Sequence, residues 1–79
     1  MIVRQSALKH GLREADIVNA ATWPAFTVSL DDENPGRQLR LGFDTHSRLL
    51  ELVILVWDDG TEELIHAMRA RPQYVRLLS

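Results

Sequence analysis

Three kinds of side chain in this sequence could act together on a phosphodiester: imidazole, guanidinium and phenol. His10 stands in Lys9-His10-Gly11, His66 lies between Ile65 and Ala67, and Arg69, Arg71, Tyr74 and Arg76 follow close behind. Cleaving RNA without a metal needs a base for the 2′-hydroxyl proton, positive charge against the developing phosphorane, and an acid for the leaving oxygen. A histidine, two arginines and a tyrosine supply those types. The planar fork of arginine matches phosphate oxygens, and tyrosine offers a hydroxyl or a face on which a base stacks. Each residue also has a plainer reading. His10 before Gly11 suits a helix C-terminus, where a cation meets the dipole. His66 suits a partly buried, hydrogen-bonded histidine. The three arginines suit a solvated basic edge, and His46 a solvated turn. Asp58, Asp59, Glu62 and Glu63 read as a solvated hairpin tip rather than a cation site.

No sharper motif competes. The sequence has no phosphate-binding loop, dinucleotide fingerprint, zinc spacing or nucleophile elbow, so no metal and no cofactor is expected. It has no cysteine either, which removes disulfides and thiolate metal sites and fits a reducing cytoplasm. Its 79 residues make a single domain, 1–79, with a small core. A chain of this size buries about 60–65 % of its unfolded surface. The net charge of −2 argues against non-specific nucleic-acid binding. Its distribution says more: acids gather at Asp31–Glu33 and Asp58–Glu63, whereas Leu64–Ser79 carries Arg69, Arg71 and Arg76 and no acid. No export signal opens the sequence, and no apolar run approaches the roughly 20 residues of a membrane span.

The elements that must position these groups are organised around Leu49–Trp57. This apolar, β-branched run between turn residues reads as a strand buried on both faces. Its one acid, Glu51, must sit near the strand's start or find a partner. Before it, Phe26–Leu30 and Gln38–Asp44 alternate as half-buried strands, with Leu39, Leu41 and Phe43 inward and Gln38, Arg40 and Asp44 outward. After it, Asp58-Asp59-Gly60-Thr61 signals a hairpin. Glu62–Ala70 is then the last strand, with Leu64, His66 and Met68 on one face and Ile65, Ala67 and Arg69 on the other. At the N-terminus, Met1–Val3 reads as a short strand or a frayed end. Ser6 can cap a short helix to His10, closed by Gly11, and Arg13–Thr22 forms a second helical stretch ended by Pro24. Pro72 can open a C-terminal helix carrying Tyr74, Leu77 and Leu78. The expected fold is therefore α+β. It has an N-terminal helix or helix pair, an antiparallel meander of about four strands with helices against one face, and a short C-terminal helix.

Several short passages are similar to one family. Lys9-His10-Gly11-Leu12 with Glu14 and Ala15, Arg40-Leu-Gly-Phe43, Arg48-Leu-Leu-Glu-Leu-Val53, and Ile65-His-Ala-Met-Arg-Ala-Arg71 with Tyr74 resemble BrnT-type toxins of type II toxin–antitoxin systems. They do so in the same order over roughly residues 7–78. The resemblance implies a RelE-like fold and a ribonuclease that acts on mRNA, free or on the ribosome, and arrests translation. It also implies a cognate antitoxin partner, within a homodimer or a toxin–antitoxin hetero-oligomer. By position, His10, Arg69, Arg71 and Tyr74 become the catalytic candidates, and Arg40, His66 and Arg76 the substrate-binding ones. Two other functions stay open. One is a non-catalytic protein-binding module of the same fold, favoured by Val75, Leu77 and Leu78 on the last helix. The other is a small nucleic-acid-binding regulator, against which the negative charge and the lack of a helix-turn-helix pattern both speak.

Overall fold

The computed structural model describes residues 1–78. Strand β1 (Ile2–Val3) leads into a 3-10 turn (Gln5–Leu8) and helix α1 (Glu14–Thr22). Strands β2 (Pro24–Ser29), β3 (Gly36–Phe43), β4 (Leu49–Val56) and β5 (Glu62–Arg69) follow, then helix α2 (Pro72–Val75) and a last 3-10 turn (Arg76–Leu78). The sheet runs β1-β5-β4-β3-β2. It is mixed: β2 to β5 form the expected antiparallel meander, and β1 adds a fifth, parallel strand against β5, with Ile2 opposite Glu63. Of the two readings of Met1–Val3, a short strand or a frayed end, the strand is found, over Ile2–Val3. No described helix is long and apolar enough to cross a membrane.

Burial on both faces makes β4 the middle of the molecule. Leu50, Leu52 and Ile54 point to one side, where they pack with Leu64, Ala67, Ala7 and the buried face of α1, Ile17, Ala20 and Ala21. The start of α1 carries Glu14 and Asp16, as the helix dipole favours. Gly42 permits the close approach of helix to sheet, because a Cβ there would lie 2.1 Å from the Ala20 carbonyl oxygen. On the other side lie Glu51 and Val53 of β4, with Leu39 and Leu41 of β3, by strand alternation and register. The C-terminal segment covers part of that second side, since its last turn packs against β2 after crossing from β5. Helices therefore flank both faces of the sheet, not one.

Three details of the alternation also differ from expectation. The β4–β5 register slips at Val53/Ile54, so that Leu64 pairs with Ile54 while His66 pairs with Val53. Ile65 is the extra residue of a β-bulge. Leu64 thereby joins Ala67 and Arg69 on the α1 side, and His66 stays with Met68 on the other. Arg40 points inward, beneath α1, because β3 too is buried on both faces: its N–H groups reach the Ala21 carbonyl, Gln38 and both oxygens of Glu62. At the end of β3, Phe43 is exposed, whereas Asp44 is buried and accepts three hydrogen bonds from His46 N, Arg48 N and Arg48 Nε. The first helical segment ends at Leu8, two residues earlier than expected, and Ser6 lies within it rather than capping it; its hydroxyl donates to the Ile65 carbonyl at the bulge.

Candidate functional site

The second side of β4 and β5 carries a connected set of polar side chains. Glu51 is its centre. The residue is 1 % exposed, and its carboxylate accepts three hydrogen bonds and lies against a histidine ring nitrogen. Oε1 takes one from the Arg71 backbone N–H at 3.1 Å and one from Arg71 Nε at 2.9 Å. Oε2 takes one from Arg71 Nη2 at 2.9 Å and meets His66 Nε2 at 3.1 Å. The Arg71 contact is a two-pronged fork, the strongest form of this pair. Burial pushes the Glu51 carboxyl up, but the Arg71 side-chain and backbone bonds and the His66 contact outweigh it and hold the group below its ordinary value. The bond to Glu51 in turn raises the Arg71 guanidinium.

Local sequence explains why these residues meet. Glu51 and His66 are diagonal neighbours on adjacent antiparallel strands, on the face the bulge preserves for His66. Ala70 closes the ladder by bonding to the Leu49 carbonyl. Arg71 then takes an extended conformation as Pro72 starts α2, which turns its side chain back over the sheet. One turn on, Tyr74 places its ring 5.4 Å from the guanidinium carbon. His10 arrives from the other direction. The 3-10 turn packs along β5, Gly11 reverses the chain at φ +78°, and the His10 ring meets that of His66 edge to face at 5.8 Å.

Chemically, the set holds two imidazoles, one guanidinium and one phenol around a buried carboxylate. Arg71 is 47 % exposed at its side chain. Of the five guanidinium N–H donors, Nε and one on Nη2 are used by Glu51; the other three are not, and the nearby Tyr74 raises the guanidinium further.

The structure brings together His10, His66, Arg71 and Tyr74, and it leaves three other sequence candidates elsewhere. Arg69 pairs with Leu50 and so belongs to the α1 side of the sheet, opposite Glu51. Arg76 is exposed at the start of the last turn. Arg40 is buried under α1 in the Glu62 pair, and its place is structural. The hairpin acids are not merely solvated either. Glu62 holds Arg40, and Glu63 holds Arg4 at 2.8 Å and the Trp57 indole N–H at 2.8 Å. Glu51 is the residue that reading by motif misses. Its signal is a lone acid inside an apolar strand, which must find cationic partners or stay protonated.

A second polar group lies at the β3–β4 turn, where Asp16, Asp44 and His46 bring ligand-type atoms within 4.8 Å of one another. Both carboxylates are already engaged there. Asp44 caps its own turn, and Asp16 accepts from the Thr45 backbone and hydroxyl. The group ties α1 to the turn.

Against family models, curated proteins and solved structures, the chain finds no match.

Proposed function

We propose that this chain is a toxin of a type II toxin–antitoxin system: a RelE-like, metal-independent endoribonuclease that acts on mRNA in the cytoplasm. A cognate antitoxin protein holds it in check. The observation that carries this reading is the Glu51–Arg71 fork, flanked by His10, His66 and Tyr74 on one face of the sheet. The reaction is internal transesterification. An imidazole removes the 2′-hydroxyl proton, and the 2′-oxygen forms a bond to phosphorus. The P–O5′ bond breaks, and a protonated group returns a proton to the 5′-oxygen. The products are a 2′,3′-cyclic phosphate and a free 5′-hydroxyl. The three unspent N–H groups of Arg71 face the phosphoryl oxygens, and Tyr74 offers its ring to a neighbouring base. His10 and His66 are the two proton carriers.

The test is expression of the chain in a bacterial host with and without Arg71→Ala, paired with cleavage of a defined mRNA by the purified protein. The parent arrests growth and yields cyclic-phosphate ends, and Arg71→Ala relieves the arrest. Undiminished toxicity of that variant overturns the site.

A second reading is a protein-binding module without catalysis. Val75, Leu77 and Leu78 favour it, because all three lie exposed on the C-terminal segment, 44 %, 46 % and 38 % open to solvent. Purified chain that cleaves no RNA but forms a stoichiometric complex with one partner protein selects this alternative.

A further inference from the structure

The two imidazoles of the cluster are not equivalent, and Glu51 is what separates them. His66 Nε2 lies 3.1 Å from Glu51 Oε2, whereas His10, which has no hydrogen bond to a carboxylate among the described residues, meets the cluster through the edge-to-face contact with His66. The Glu51 carboxylate is held ionised by the two-pronged Arg71 contact, so it is an acceptor on every lone pair it presents. A neutral imidazole next to such an acceptor puts its single proton on the nitrogen that faces it.

We infer that Glu51 is the positioning residue of this site. It fixes His66 as the tautomer protonated at Nε2 with the Nδ1 lone pair free, and it locks Arg71 in one orientation with three N–H groups not taken by the carboxylate. This inference rests on the nuclease reading for its catalytic consequence but not for its structural content. In the catalytic step, His66 Nδ1 takes the 2′-hydroxyl proton. The positive charge that develops on the ring is stabilised by the carboxylate behind Nε2. His10, in ring contact with His66 and not with Glu51, is left to return a proton to the 5′-oxygen. A carboxylate that orients one imidazole and a guanidinium at once also couples them, so neither reaches its working position without the other. Glu51 touches no substrate itself; it acts through both of its partners.

The arrangement is tested on the full-length protein labelled with 15N in its histidines. Two-bond 1H–15N correlation spectra at a pH where the imidazoles are neutral read the tautomer of each ring separately. For His66 the expected pattern is that of a proton on Nε2, and for His10 and His46 a pattern closer to the free-imidazole mixture. In Glu51→Leu, which removes the acceptor at similar volume, the His66 pattern shifts toward the mixture, while circular dichroism and the His46 signals stay as in the parent. RNA cleavage by the variant falls at least tenfold in kcat with a smaller change in KM, because orientation is lost more than binding. A His66 ring protonated at Nδ1 in the parent overturns the inference without any variant having to fold. So does a His66 pattern that Glu51→Leu leaves unmoved. If the parent shows the expected tautomer but cleaves no RNA, the nuclease reading fails and the positioning role of Glu51 stands.

Discussion

Two of the arginine–glutamate pairs lie on opposite sides of this small sheet and are built inside out relative to each other. On the α1 side, Arg40 is the buried partner, with its side chain 11 % exposed, and Glu62 at 30 % reaches it from nearer the surface. Nε, Nη1 and Nη2 of Arg40 are all turned inward, to Gln38, the Ala21 carbonyl and Glu62. On the opposite side the acid is buried and the arginine stands at the surface, with Glu51 at 2 % and Arg71 at 47 % side-chain exposure. The first arrangement uses charge to tie a helix to a strand. The second uses a hidden charge to aim an accessible one. The position of the carboxylate, not the presence of an ion pair, distinguishes a strut from a site.

The most severe way to break this contrast is Gly42→Ala. The new Cβ collides with the Ala20 backbone, lifts α1 off β3 and opens the Arg40 cluster. Overpacking of this kind costs about 3 kcal/mol or more when the obstacle is main chain. Urea denaturation measures it. Next comes Glu62→Ala, which leaves the Arg40 charge buried with only neutral acceptors. The expected loss is about 2–3 kcal/mol in stability, without loss of RNA cleavage by the protein that remains folded. A cleavage defect larger than the folding defect would show that the two sides are coupled after all.

The comparison is sharpened by the neighbouring arginines of the tail. Arg71→Ala is expected to lower cleavage about tenfold or more, the effect of one charge-assisted phosphate contact, and Arg69→Ala less than threefold, because Arg69 lies on the other face. Equal effects of the two substitutions in a kinetic assay would refute the division of faces. The smallest effect concerns acid. Glu51 has a lowered pKa in the fold, so its contribution is fully present above the ordinary carboxylate range and is lost as pH falls through the lowered value. Asp16, Asp31, Asp44 and Asp59 are lowered too and behave alike. Stability of the parent therefore declines on acidification below about pH 4. Glu51→Gln flattens that decline without abolishing it, as thermal melts across the acid range would register.

Much of the frame was legible because its signals are local. The apolar run Leu49–Val56, the Asp59-Gly60 turn and the Pro72 helix start each depend on a few adjacent residues, and each is found in place. What escaped depends on partners far along the chain. The bulge at Ile65 is a matter of register against β4, and without it Leu64 and His66 look like neighbours on one face. Arg40 looks solvent-facing as long as β3 is assumed to have one wet side; the helix packed through Gly42 removes that side. Arg69 and Arg71 look like a pair because two residues separate neighbours on a strand face. The strand ends at Arg69, however, so the period no longer holds at Arg71. Glu51 was legible as an anomaly that needed a partner. That the partner was Arg71, twenty positions on, was not.

The pairing of Ile2 with Glu63 sets a timetable. Synthesis makes residues 2 and 3 well before the strand they pair with, β5, which follows some sixty residues later, after β4 and the hairpin that carries β5 back. Closing so long a span is entropically slower than zipping the adjacent strands. On chain entropy alone, closing the meander from β2 to β5 costs less than docking the opening strand onto it.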